Sequence, residues 1–280
     1  MSEFWTMKPT DFDRFATFHQ YPTFLPSPWQ HVILTILLTP LFLMIVFLVN
    51  FFIVQSYLPT SSAAAKRRAS YQLTNLCVNA FLGALGSYHF WFTLPSESTV
   101  DDQVIGWESL YTLSCIQIGY QLWSLGMALT AVKETPAMIA HHVAVIMTCF
   151  MSGFMTLGFR YWSPFFYGVV ELSSVPLSMT NLFKDNPKWI QMYPTMYFRV
   201  RLVFAIAFLA VRWVMYAPRK YVLLRQFLWA IQSSDSLPYI VYMSLVWSSS
   251  FFLACLQFYW GTLIVKGLAN AFLPKREKQA

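Results

Sequence analysis

The stretch Val32–Leu58, "VILTILLTPLFLMIVFLVNFFIVQSYL", contains no Asp, Glu, Lys or Arg. About 20 apolar residues, each rising about 1.5 Å, cross the roughly 30 Å hydrocarbon core of a bilayer. The stretch therefore predicts a membrane-spanning helix. The rest of the chain reads the same way. Of 280 residues, 57% are hydrophobic, 19% aromatic and only 11% charged. Soluble domains carry about 25% charged residues. A net charge of +7 does not indicate nucleic acid here. The basic residues sit in short clusters between apolar blocks, where they set topology and meet anionic headgroups.

Working outward, seven spans are expected: 32–58, 71–94, 107–132, 136–157, 161–183, 196–217 and one within 237–266. The last is long enough to require a tilt, a break or an extension. Between the final two, "PRKYVLLRQFLWAIQSSDS" is short and basic and reads as an interfacial segment. The fold class expected is an all-α polytopic membrane protein, about seven helices in a bundle with a central polar chamber. Residues 1–31 form a non-cytosolic or interfacial N-terminal segment, 32–58 the first helix, 66–268 the main domain and 269–280 a basic tail. Lys66, Arg67 and Arg68 follow the first span, whereas the loop after the second, "PSESTVDDQVIG", is acidic. That contrast places the first loop and the C-terminus in the cytosol, although Arg219, Lys220 and Arg225 count against it. The four cysteines all fall in candidate spans and read as small apolar fillers.

Polar residues recur at helical spacing inside four spans. The faces are Asn75, Asn79, Gly86 and His89; Ser114, Gln117, Gln121 and Ser124; His141, Thr148 and Ser152; and Tyr167, Glu171, Ser174 and Ser178. Polar groups turned to lipid cost several kcal/mol. The faces either converge on a chamber or bond one another between helices. Glu171 lies mid-span, where a carboxylate is a functional candidate, at a depth comparable with the pair His141–His142. Adjacent histidines point about 100° apart around a helix, which disfavours a shared metal ion. They serve a structural pairing with Gln121 or Glu171, a headgroup contact, or catalysis as base, acid or acyl acceptor.

The order of "KRRASYQLTNLCVNAFLG", "IQIGY", "AHHVAVI", "ELSSVPLSMTNLF" and "MYFRVRLVFAIAFLAVRW" resembles the TLC domain family, named for TRAM, Lag and CLN proteins. In the family's ceramide synthase branch a seven-helix bundle encloses an acyl-chain chamber, and a histidine pair moves the acyl group from acyl-CoA to an amine. The resemblance implies His141 and His142 as that pair, Glu171 as the pocket acid and Arg212 as the arginine of the sixth span; together with the polar faces it makes Gln117, Tyr120, Gln121, Ser174, Arg212 and His89 the expected lipid-binding residues. Acyl-CoA would be the co-substrate, without a metal or other cofactor. The acids that follow the pair in ceramide synthases are missing from "GFRYWSPFFYGVVELSSVPLSM", and the Glu-Leu-Ser form is closer to the TLC domain-containing proteins, which are linked to membrane phospholipid composition. The implied function is acyl-lipid binding in membrane lipid homeostasis, with N-acyl transfer as its chemistry. The alternative is a non-catalytic lipid-binding or structural subunit of a membrane complex. Partners would be phospholipid or sphingolipid, and a second copy or a larger complex. The location implied is the endoplasmic reticulum, with the mitochondrial inner membrane or another organelle as alternatives.

Overall fold

A computed structural model of the chain describes residues 29–58, 61–94, 111–151, 160–232, 235 and 237–272. Trp29–Tyr57 forms one helix, α1. It is apolar on every side, and Ile33, Leu37, Phe42 and Phe52 are exposed. Leu43 and Phe47 turn inward, and Phe47 meets Trp123 at 6.4 Å between ring centroids. One polar bond joins α1 to its neighbour: Asn50 donates to Thr74 Oγ1 at 3.1 Å.

The second helix, α2 (Ala63–Tyr88), starts at Ser62, whose hydroxyl accepts from the Ala65 amide. It runs into a wide π turn at His89–Thr93. The third, α3 (Tyr111–Met127), ends in a similar turn at Ala128–Val132. Lys133 closes that turn in the left-handed region, at φ 53°. Thr135 then caps α4 (Pro136–Phe150), with Pro136 in the first turn, where its missing N–H costs nothing. This three-residue connection fixes the histidine pair near the start of α4.

The span expected over 161–183 is not one helix. It is a 3₁₀ turn (Arg160–Trp162), a single turn α5 (Ser163–Phe166), a second 3₁₀ turn (Val169–Ser173) and α6 (Ser174–Asp185). The break falls at Gly168, for a steric reason. A Cβ on Gly168 would lie 2.4 Å from the Gly86 Cα, and one on Gly86 would lie 2.3 Å from the Gly168 Cα. The two backbones touch, and only glycine fits at such an approach.

After the short α7 (Pro187–Met192), α8 (Pro194–Leu209), a π turn (Ala210–Met215) and α9 (Tyr216–Gln232) follow without interruption. This corrects the interfacial reading for residues 218–232. The segment continues the sixth span instead of lying apart from it. Pro218 comes just after the wide turn, where the regular i→i−4 ladder is already disturbed, so its lost donor is tolerated. Leu223 and Phe227, four residues apart, then pack on Met243 and Val246 of α10 (Leu237–Phe272). That last helix is unbroken.

Among the described residues no strand occurs. Three helices are long and apolar enough to cross a membrane: 31–57, 194–228 and 240–270. Helices α2, α3 and α4 pack between them, joined by a core that includes Tyr71, Leu82, Trp123 and Val145.

Candidate functional site

The polar faces of α2, α3, α4 and α6 come together, as their spacing required. They enclose a cavity of about 310 Å³ lined by Asn75, Asn79, Tyr120, Gln121, His141, His142, Glu171, Ser174 and Arg212 among others. A smaller cavity, about 50 Å³, adjoins it. Gln117, His141, Glu171 and Arg212 line its wall together with Lys220 and Gln257. Eight of the nine residues singled out from sequence thus line one or both spaces. His89 does not. It lies in the π turn ending α2 and bonds Thr93 within that turn, at 3.1 Å. Ser152 lies outside the described residues.

The histidines have separate environments. His142 is buried, and both its ring nitrogens are engaged. Nδ1 lies 2.5 Å from Gln121 Oε1. An amide oxygen only accepts, so Nδ1 carries the proton and Nε2 is the acceptor. Ser124 Oγ donates to Nε2 at 3.3 Å and accepts from the Tyr71 hydroxyl at 2.6 Å. This buried chain fixes one neutral tautomer. His141 lies about one-quarter turn around the helix. It borders both cavities, its ring meets Trp260 edge-on at 5.4 Å, and its Nδ1 has no protein hydrogen-bond partner. The structural pairing with Gln121 therefore belongs to His142, whereas His141 borders both cavities and keeps one buried ring nitrogen without a protein partner.

Glu171 does not hold either imidazole, contrary to expectation. Its Oε1 accepts from Gln117 Nε2 at 3.0 Å and its Oε2 from Ser174 Oγ at 2.6 Å. Oε2 also lies 3.6 Å from Arg212 Nη2. Arg212 outcompetes imidazole because it is a permanent cation with a donor fork that suits a carboxylate. Its remaining donors are also engaged: Nε to Ser173 Oγ at 2.6 Å, Nη1 to Gln257 Oε1 at 3.0 Å and Nη2 to Ser174 Oγ at 2.8 Å. The π turn at Ala210–Met215 presents this arginine toward α6 and α10, in keeping with the concentration of such turns at functional sites. Neutralising a buried charge by a partner is the condition for keeping it inside a bundle.

Sequence reasoning missed Tyr71, Ser173, Gln257 and Lys220. Ser173 and Gln257 carried a weak signal, a polar residue in an apolar run. Lys220 was read as a surface charge. It is buried, donates to Ser250 Oγ at 2.5 Å and lies over the Phe166 and Tyr216 rings. Among the described residues no group of three or more His, Cys, Asp or Glu side chains has the geometry to hold a metal ion.

At the mouth of the larger cavity stands Glu134, outside the spans. Burial raises its carboxyl above the usual range, opposed by the Thr135 amide and Arg68.

The fold defines an all-helical integral membrane protein with cavities between its helices. The chain belongs to the TLC domain family, whose profile matches residues 70–266, inside the 66–268 expected from sequence. No curated protein matches the chain.

Proposed function

We propose that this TLC protein spans the membrane seven times, binds an acyl lipid in a central polar chamber and acts in membrane lipid homeostasis. The observation that carries this reading is His141: an imidazole nitrogen free of protein partners at the junction of two cavities inside a bundle. Buried polar groups normally find partners. Asn79 Oδ1 and Gln117 Oε1 are also unpartnered at the same walls. A ligand with an apolar chain and a few polar atoms would satisfy all three.

The chemistry this supports is acyl transfer from acyl-CoA. His141 Nδ1 accepts the proton of an amine or hydroxyl acceptor while that acceptor attacks the thioester carbonyl. The C–S bond breaks, and the departing thiolate takes the proton back from the imidazolium. His142 stays neutral and holds the helix face through Gln121 and Ser124. The Glu171–Arg212 pair shapes the wall and leaves the proton transfer to His141. The non-catalytic reading has one observation in its favour: among the described residues no carboxylate is hydrogen-bonded to either imidazole, and a carboxylate so placed is what orients and activates the base in a triad.

His141→Ala and His142→Ala separate these readings. Removing a general base costs about 10² to 10⁴ in rate, so His141→Ala should abolish the lipid product and leave the melting temperature unchanged. His142→Ala should behave oppositely, because it strands Gln121 Oε1 and Ser124, at about 1–3 kcal/mol. Lipid mass spectrometry and thermal melts on both variants are the measurements. A normal lipid profile in His141→Ala, with acyl lipid still co-purifying, selects the binding module. No co-purifying acyl lipid in the wild type refutes both.

A further inference from the structure

Where α2, α4 and α6 meet at the membrane face, a third cavity opens, about 210 Å³ in volume. Arg68, Lys133 and Lys184 line it, against Glu134 and Asp185. Three cations and two acids leave an excess of positive charge. The three cations are all exposed, so an arriving anion can reach them. The one ion pair among them, Arg68 to Asp185, is long, at 3.8 Å, and half exposed on the arginine side. Such pairs contribute little and exchange readily. Lys133 is held at the rim by its left-handed backbone, a conformation that a residue with a Cβ adopts only when its surroundings enforce it.

This vestibule shares walls with the site. Gln72, Glu134 and Asn181 line both it and the large cavity. A fourth space, about 360 Å³, extends sideways between α6, α8 and α10. Its walls are mostly apolar, among them Phe198, Leu202 and Leu268, but Lys184 and Arg201 also line it. Lys184 is shared with the vestibule, and Phe204, Leu263 and Ile264 are shared with the large cavity. The crevice thus combines cationic side chains with an apolar wall, part of which also lines the cavity that His141 borders.

We propose, resting on the lipid-binding reading above, that Lys184 and Arg201 capture the phosphate of an acyl-chain amphiphile. Its chain lies along the α8–α10 crevice and enters the large cavity from the side. A free anion would use the vestibule and leave the crevice empty. A neutral lipid would use the crevice and leave Lys184 and Arg201 without a role. Only a molecule with both parts uses both. The basic end also lies on the side to which the sequence assigns the cytosol, where anionic lipid is concentrated.

The test uses the full chain purified in non-ionic detergent, with dioleoylphosphatidic acid and dioleoylglycerol as probes. They share the same chains and differ in the phosphate. The wild type should prefer the phosphate lipid about ten-fold or more, the worth of one charge-assisted hydrogen bond. Lys184→Gln with Arg201→Gln should remove that preference and leave dioleoylglycerol binding unchanged. Arg67→Gln serves as a control, since Arg67 is exposed and borders none of these cavities. Palmitoyl-CoA competing for the variant-sensitive site would identify a soluble thioester as the phosphate source, and failure to compete would identify a bilayer phospholipid. Equal binding of both probes by the wild type overturns the phosphate site and leaves lipid binding intact. Loss of preference in Arg67→Gln overturns it in favour of general surface charge. Failure to bind either lipid overturns the lipid-binding reading as well.

Discussion

Arg212→Leu should be among the most destabilising single substitutions in the protein. Arg212 and Glu171 are both buried and 3.6 Å apart. At an effective dielectric of about 20 their attraction is about 5 kcal/mol, most of it spent on removing both groups from water. Cutting one partner leaves that desolvation cost without its compensation. It also strands Ser173, Ser174 and Gln257, all of which accept from the guanidinium. The expected loss is about 3–5 kcal/mol. Glu171→Gln alone should cost less, because the amide oxygen still accepts from Gln117, while its NH₂ faces a guanidinium it cannot satisfy. The double variant should cost clearly less than the sum of the two, with a coupling energy of about 2–3 kcal/mol. Equilibrium unfolding in mixed micelles, followed by tryptophan fluorescence for the four proteins, gives each value. A single Arg212→Leu within about 1 kcal/mol of wild type, or strictly additive losses, would refute the pairing argument.

Gly86→Ala should force α2 away from the break at Gly168, since the new methyl would meet backbone at 2.3 Å. Overpacking costs about 1–3 kcal/mol, and this site should reach the upper end, read as a lower melting temperature. Glu134→Gln should stabilise the protein at neutral pH and flatten its pH dependence. Burial raises the Glu134 pKa in the folded state, so between the unfolded and folded values the native state holds more protons and stability falls as pH rises. Melts from pH 4 to 8 on wild type and variant check it, and a wild-type slope of the opposite sign refutes it.

How far the sequence could be read depended on the range of the forces involved. Local periodicity identified the polar face of α3 completely: Ser114, Gln117, Gln121 and Ser124 are all buried. Apolar run length identified α1. What failed needed tertiary information. The break in the fifth span follows from Gly86 touching Gly168, two residues 82 positions apart, and a single glycine in a run carries no such instruction. Glu171 was assigned to an imidazole because depth along neighbouring helices was the only available measure. Depth does not tell which helix faces which, and the π turn after α8 brings a stronger cation to the carboxylate. His89 shares the α2 stripe, yet the π turn that starts there shifts the face by widening the helix.

The basic residues that disturbed the topology count gain a physical account from the same contacts. Arg219 lies over the Phe90 and Phe165 rings, at 5.1 and 4.8 Å, and donates to the Met215 carbonyl at 2.8 Å. Lys220 is buried against Ser250, Phe166 and Tyr216. Both are held by aromatic faces inside the bundle, so neither is a loop charge of the kind the positive-inside rule counts. At the other end, Arg68 near the start of α2, Lys133 between α3 and α4, and Lys184 at the end of α6 meet in one vestibule, which places those helix ends on one side of the bundle. Removing Arg219 and Lys220 from the count lowers the positive charge that opposes the expected orientation. The vestibule end is the one that the basic first loop predicts to face the cytosol. Its cations then meet the leaflet richest in anionic lipid, and the route from Lys184 past Phe204 to His141 begins where a phosphate-bearing lipid is most concentrated.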